Sequence, residues 1–580
     1  MTIHSRLAFP TDGHVSNFIV FSGLMLLTFI VYAGVLQGKF ISDDLAMFVN
    51  NAANLGDATK IASYFSAGVW NHVNEPHADA SLYRPMWLLW NYLVYQFAGE
   101  QPLYWHISSL LLHAMNGFLV YLLVAQMFPA GGQLARILSA VLFLVHPVAS
   151  QAVSWISGSP DLLLCLFFLG SLLSYITYHN TKSIVWYVIS LLLFGSAVLT
   201  KEPALALLPI LLVYDYGRQK NLKLLPWKLY LGYIIVALSY LVTRSVVLQG
   251  VLDGASPWQF TLDDFYRSVE YAATYFRSLV LPYSIPFTMR HVPGGFASWF
   301  DIVAGVSIIA AALVLFIRQN SSRLALTIII TPLAIPLILA FHNLGLFAAR
   351  FLYVPLAGLA LLVAPTMDKY VQSRFAYGAV VSGLILLSVF TITVHVPHWR
   401  DYRNWANYVL KYDGSYAAGW VELAKYHLDR KEQDTALEVY QRALSNVTNP
   451  DDEVVIRENL ALLYAGQGKY EQSLIEYQQI ANISKYSYIG WTGVGNSLWM
   501  LKRNDEALTA YRNAMKSNPG HFDAIYNYAL LSESANQPGQ AAWAYRKLLT
   551  LPLKPTQNSA ARRAQNFLRR YEGQTPGDQR

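Results

Sequence analysis

NFIVFSGLMLLTFIVYAGVLQGKFISDD, residues 17–44, passes through a long apolar run and then ends on two adjacent carboxylates, Asp43 and Asp44. A run of about twenty apolar residues matches the hydrocarbon thickness that a spanning helix must cross, so the acids stand where the chain has just left a bilayer. The composition agrees: 54% of residues are hydrophobic and only 13% charged, against about a quarter charged in soluble domains. The apolar excess is confined to residues 1–396, whereas the remainder is charged, rich in Ala and Tyr, and helical in pattern. Two domains in different solvents follow, with the change near HWRDYRNW (398–405). Cys165, the single cysteine, lies in an apolar run, which excludes an intrachain disulfide framework and a cysteine-ligated zinc site. The net charge of +7 does not require nucleic acid, because spanning proteins place Lys and Arg on the cytoplasmic side.

Further apolar runs predict spans at 17–37, 106–125, 136–147, 160–178, 183–199, 203–216, 229–247, 299–317, 324–341, 350–366 and 375–395, about eleven in all. With a cytoplasmic N-terminus, the inside loops hold Arg136, Lys182, Arg218, Lys220, Lys223, Lys228, Arg318, Arg323, Lys369 and Arg374 with almost no acids, so the parity obeys the charge rule. Two aromatic-rich stretches, 83–97 and 266–282, remain as non-spanning helices on the outer surface. The first apolar run exceeds a signal-peptide core and lacks an A-x-A site, so it reads as a retained helix. This topology carries Asp43, Asp44, Arg84, His106, His146, Asp161, Lys201, Glu202, His342 and Arg350 to the outer ends of spans. Ionisable groups at membrane depth are costly, and a set of them on one face reads as the wall of a site.

Beyond residue 415 the sequence repeats. Ala436, Ser473, Ala507 and Ala541 recur, and Tyr440, Tyr477, Tyr511 and Tyr545 follow each by four. A period near 34 with a small residue and an aromatic at fixed phase is the tetratricopeptide signature, and such a solenoid offers a concave surface to a protein or an extended peptide. The expected organisation is therefore all-α: a polytopic membrane domain at 1–396, a linker at 397–414, four tetratricopeptide repeats at 415–555, and a capping helix with a tail at 556–580.

SDDLAMFVNN, YRPMWLLWNYL, HISSLLLHAMN, HPVASQAVSWISGSPDLL, LTKEPALALLP, RFLYVP and RNW, followed by the repeats, together resemble the transmembrane-and-tetratricopeptide O-mannosyltransferase family (TMTC type) and its bacterial relatives, of the multi-spanning GT-C glycosyltransferase class. The resemblance implies transfer of a sugar from a polyprenyl-phosphate carrier to a protein hydroxyl on the outer or lumenal side. Two positions depart from the family pattern: Gln151 stands where relatives typically carry Glu in the HPV motif, and Ala349 precedes Arg350 where many carry Glu. Each change removes a carboxylate from the outer face.

The implied reaction needs a base for the acceptor hydroxyl and cations for the departing phosphate. By the resemblance, one acid of the first outer loop is the base. Paired carboxylates push one pKa upward, which suits a proton acceptor, and within the resemblance Asp44 is the expected base with Asp43 its support. The other reading of Ser42-Asp43-Asp44 is a helix N-cap. Arg350 is the expected phosphate ligand, since a guanidinium fork matches phosphate oxygens, with Lys201 and Arg84 adding charge. Lys201 and Glu202 also read as a self-neutralising pair at a helix end, and Glu202 and Asp161 are supporting residues. His106 and His146 are expected to orient Asp44, to contact phosphate, or to be satisfied structural histidines. His106 and His113 lie too far apart on one helix to share an ion, and no metal ligand set is expected, although a divalent ion stays open. The expected partners are the lipid-linked donor, membrane lipids and an acceptor protein held by the solenoid. The setting is a bacterial inner membrane with a periplasmic solenoid, or an endoplasmic reticulum membrane with a lumenal one. Three competing functions are a non-catalytic anchored scaffold, a polymerase or ligase with a glycan acceptor, and a transporter. The transporter fits least, because its polar groups belong at mid-bilayer.

Overall fold

The computed structural model describes residues 16–73, 82–129, 131–248, 262–289, 298–341, 347–371, 373–551 and 557–574, which belong to two compact units, Met1–Asp413 and Gly414–Arg580. His342 lies outside the described residues. Both units are helical; the strand content among the described residues is one two-residue antiparallel pair, Thr288–Met289 with Phe347–Ala348.

In the first unit a helix forms at every expected span, from Asn17–Val31 to Arg374–Phe390. Length and apolarity alone qualify five of them to cross a membrane: Pro102–Met127, Ile156–Thr181, Trp227–Val247, Trp299–Arg318 and Phe375–Trp399. Gln133–Val145 and Pro147–Ser154, bent by 48°, would together make a sixth. About eleven spans are expected, some as short as 136–147; further apolar helices among the described residues are shorter, Asn17–Val31 and Ile184–Val198 among them, with local breaks at their ends. Asn17–Val31 passes into a tight turn at Ala33–Gln37 that ends on Gly38. The 48° bend falls at His146-Pro147, where His146 is extended (φ −70°, ψ 130°), the conformation that a following proline favours.

Two of the five helices form the core: the Pro102–Met127 and Ile156–Thr181 segments are 61% and 78% buried, against 11% for Trp299–Arg318. The buried pair carries polar and small residues that bind neighbouring helices. His113 contacts the Tyr353 hydroxyl through Nδ1 at 2.6 Å and the Leu144 carbonyl through Nε2 at 3.1 Å, and Asn116 donates to the Leu162 carbonyl. A Cβ at Gly117 would fall 2.6 Å from the Leu144 side chain, so the close approach of these helices requires glycine. Trp299–Arg318 is apolar on all sides, with Val303, Val306, Leu313 and Ile317 exposed, the surface that lipid covers. The aromatic-rich stretches also form helices, Pro85–Ala98 and Leu262–Val280.

In the second unit four helix pairs follow at the sequence period: Ala417–Asp429 with Gln433–Leu444, Pro450–Gly466 with Tyr470–Ala481, Ser487–Met500 with Asn504–Ser517, and Phe522–Ser534 with Pro538–Leu549, closed by Asn558–Gln574. The phase residues Ala436, Ser473, Ala507 and Ala541 are buried, as are the four tyrosines that follow them. A Cβ at Gly493 would lie 2.1 Å from the Tyr477 ring, so that tyrosine is seated against bare backbone. Each pair turns through one left-handed residue, Lys431, Gly468, Lys502 or Asn536, and only one of the four is glycine.

Candidate functional site at one end of the membrane unit

The break at Pro147 turns the chain into a short hairpin, Pro147–Gly158, before the Ser159–Thr181 helix begins, and the predicted polar residues assemble around it. Asp44 is 1% exposed. Its Oδ1 accepts from the Ser157 backbone amide at 2.8 Å and the Ser157 hydroxyl at 2.5 Å, while Oδ2 accepts from the Ile41 amide at 3.1 Å. The helical turn Leu45–Val49 that follows gets no side-chain cap from Asp44, so the capping alternative is replaced by a tie between the first loop and the hairpin. Burial pushes the Asp44 carboxyl up to about 7; the bonds from Ser157 and Ile41 oppose that rise and neighbouring Asp43 adds to it. Asp43 itself is exposed.

Four residues beyond Ser157, Asp161 receives Lys201 Nζ at 2.5 Å and faces Arg350 Nε at 3.7 Å. Lys201 is 3% exposed. Burial lowers its ammonium to about 8; Asp161 opposes this, and Arg84 and Arg350 add to it. The self-neutralising Lys201–Glu202 pair is therefore corrected: Glu202 faces Arg84 at 3.7 Å and Arg244 at 3.6 Å instead. Lys201 is extended (φ −164°, ψ 143°) and Glu202 opens the helical turn Glu202–Ala206, and across that change of backbone the two side chains take different partners. Among the described residues the four cations Arg84, Lys201, Arg244 and Arg350 meet the two carboxylates Asp161 and Glu202, a set of charges that suits an anion.

Arg350 also lies over the rings of Trp155 and Phe351, and Lys201 over Phe351. Gln151 Oε1 accepts from the Arg350 backbone amide at 2.9 Å; an amide oxygen makes that bond as a carboxylate would. Trp155 stacks on Trp399, and Trp399 leads to Gly38 and His106: a Cβ at Gly38 would fall 2.8 Å from His106 Nε2 and 3.3 Å from the Trp399 carbonyl. His106 is buried with neither ring nitrogen partnered among the described residues. His146 takes the structural alternative, since Nδ1 accepts from the Val148 amide and the ring also bonds the backbone of Leu279.

The structure thus joins Asp161 to Lys201 and Arg350, and Glu202 to Arg84, ties Asp44 to Ser157 four residues before Asp161, keeps Asp43 at the surface and turns His146 to backbone. The sequence reading missed Ser157, Trp155 and Arg244. Arg244 has a legible signal, a charge at the outer end of a span; the other two are uncharged, and only the fold makes them partners.

On the solenoid, taken by itself, a cavity of about 380 Å³ is lined by Arg512, Tyr528, Gln540 and Trp543. The Tyr528 hydroxyl donates to Gln540 and accepts from Arg512, and Trp543 is half exposed.

Two family models match the chain, dolichyl-phosphate-mannose-protein mannosyltransferase over residues 81–245 and tetratricopeptide repeat over 410–554. Curated relatives named protein O-mannosyl-transferase include human TMTC1 (30% identical over 33% of this chain and 23% of the relative), mouse TMTC3 (25%, over 88% and 61%) and mouse TMTC4 (24%, over 72% and 65%). The matches span less than two thirds of each of these relatives' length. The resemblance carried by the motifs holds, and the chain is similar to the TMTC type in both of its units.

Proposed function

We propose that this chain, a multi-pass membrane protein, moves a sugar from a polyprenyl-phosphate carrier to a Ser or Thr hydroxyl of an acceptor protein on the extracytoplasmic side. The observation that carries this reading is a buried, fixed carboxylate at Asp44 tied to the Pro147–Gly158 hairpin, with a cation-rich cluster at Arg350, Lys201, Arg84 and Arg244 beside the start of the helix that follows that hairpin. A carboxylate has about four acceptor positions, and three donors reach Asp44. The position left on Oδ2 takes the proton of the acceptor hydroxyl as its oxygen attacks the anomeric carbon, and the sugar–phosphate bond breaks on the opposite face, inverting that centre. Arg350 and Lys201 receive the phosphate that leaves, with the Arg84–Glu202–Arg244 group behind them. Asp43 raises the basicity of Asp44 through its charge, and His106 is the remaining orienting group. Among possible settings, a bacterial inner membrane with the solenoid in the periplasm fits the charge topology, as does the lumenal side of an endoplasmic reticulum membrane.

The solenoid is the acceptor's docking surface in this reading, with Arg512 and Trp543 of the kind that dominate protein interfaces. Purified full-length chain supplied with a polyprenyl-phosphate sugar should glycosylate an acceptor protein. Arg512→Ala with Trp543→Ala should raise the KM for that acceptor by about tenfold or more, leaving the donor's KM and kcat unchanged. An unchanged acceptor KM would remove the solenoid from recognition, and no transfer to any protein would leave the anchored scaffold as the better reading.

A further inference from the structure

The other end of the membrane unit holds two adjoining cavities that the transfer reaction does not use. One, of about 700 Å³, lies where the Pro102–Met127, Ser159–Thr181 and Leu207–Gln219 helices end, and its wall includes Arg218, Lys220 and Arg323. The second, of about 350 Å³, opens at the start of Gln133–Val145 and includes Arg136. Met127, Phe128 and Pro129 line both. No Asp or Glu among the described residues lines either cavity. The acid nearest in sequence, Asp215, is turned away: it accepts from the Tyr175 and Tyr230 hydroxyls at 2.5 and 2.6 Å and sits 3.2 Å from His179 Nε2.

Arg218, Lys220 and Arg323 have an ordinary explanation as cytoplasmic loop charges. Arg136 does not. It is 5% exposed, its Nη2 donates to the Pro129 carbonyl at 2.9 Å, and its buried Nε has no partner among the described residues. It also sits in the first turn of a helix, where the macrodipole disfavours a cation. A buried guanidinium without a carboxylate is costly, and an anion in the cavity removes that cost. The surrounding wall, with Val124, Met127 and Phe128, is apolar.

We infer that these paired cavities bind an anionic phospholipid of the cytoplasmic leaflet, its phosphate between Arg136 and the Arg218–Lys220 rim and an acyl chain along Val124 and Phe128. Basic pockets between helices on this side of a membrane are where acidic headgroups bind. The inference rests on the charge topology and does not depend on the transferase reading.

The test uses the full chain in mild detergent, with native mass spectrometry and thermal unfolding after addition of phosphatidylglycerol, phosphatidylcholine or inorganic phosphate. Phosphatidylglycerol should be retained and should raise the unfolding temperature, with phosphatidylcholine doing neither. Arg218→Gln and Lys220→Gln should each weaken retention about fivefold, and Arg136→Gln should abolish it, with Arg136→Lys recovering part. If Arg136→Gln fails to fold, the two rim substitutions carry the test. Equal retention of both lipids, rim variants that bind like the wild type, or stabilisation by inorganic phosphate alone would overturn the inference.

Discussion

Asp44→Asn is expected to lower sugar transfer by between about a hundredfold and ten-thousandfold, the range for loss of a general base. The amide keeps the side chain's shape and can still accept from Ser157, so donor and acceptor binding should change little. The pH dependence follows from the position of the carboxyl, which burial raises to about 7. A base works deprotonated, so the wild-type rate should climb as pH rises through about 7 and fall about a hundredfold by two units below it. Ser157→Ala removes a donor that favours the charged carboxylate. Its acid limb should therefore move to higher pH by roughly one to two units, given about 1.5–3 kcal/mol for a hydrogen bond to a charged group. Ser157→Thr, which keeps the hydroxyl, should restore the profile. If Asp44→Asn keeps its rate while Asp43→Asn loses it, the exposed carboxylate is the base and Asp44 is the tie that fixes the loop.

The second large effect is on stability, at the buried Lys201–Asp161 pair. Removing one member of such a pair leaves a buried charge uncompensated and costs about 3–5 kcal/mol. The two halves should not be equal. Lys201→Met leaves Asp161 facing Arg350, whereas Asp161→Asn leaves Lys201 among Arg84 and Arg350, which already disfavour its charge. Asp161→Asn should therefore unfold at the lower temperature. Lys201→Met combined with Asp161→Leu should recover much of the stability, since an apolar replacement of a whole buried pair is often neutral, but should stay inactive because the phosphate loses a ligand. A double variant no more stable than the singles would show that Arg350, which also faces Asp161, is left with a charge that the apolar replacement does not compensate. Recovery of transfer in the double variant would remove Lys201 from the phosphate site.

Much of this was legible in the sequence because periodicity and charge placement are local. The solenoid's period located every helix pair and its buried Ala and Tyr, and the apolar runs located a helix at each expected span. The left-handed turns at Lys431, Lys502 and Asn536 were not legible, since the packing of paired helices places them there and no glycine marks them. The expected end of the third span, at 147, agrees with the break at His146-Pro147, whereas the first span, expected to reach 37, ends its α-helix at Val31. At the candidate site, several of the outer-face charges do meet one another, but their pairing was not readable. Lys201 and Glu202 are adjacent and look like partners, yet the backbone passes from extended to helical between them and they go to different neighbours. Ser157 carries no charge and lies 113 residues from Asp44, so no spacing rule could join them.

The central claim is that this chain places a sugar on a protein. Intact-mass comparison of extracytoplasmic proteins from cells carrying the wild-type chain, Asp44→Asn or no copy tests it most directly. The account predicts a sugar-sized mass on at least one protein with the wild type only, absent both from Asp44→Asn and from cells lacking the chain. Identical masses in all three would contradict it.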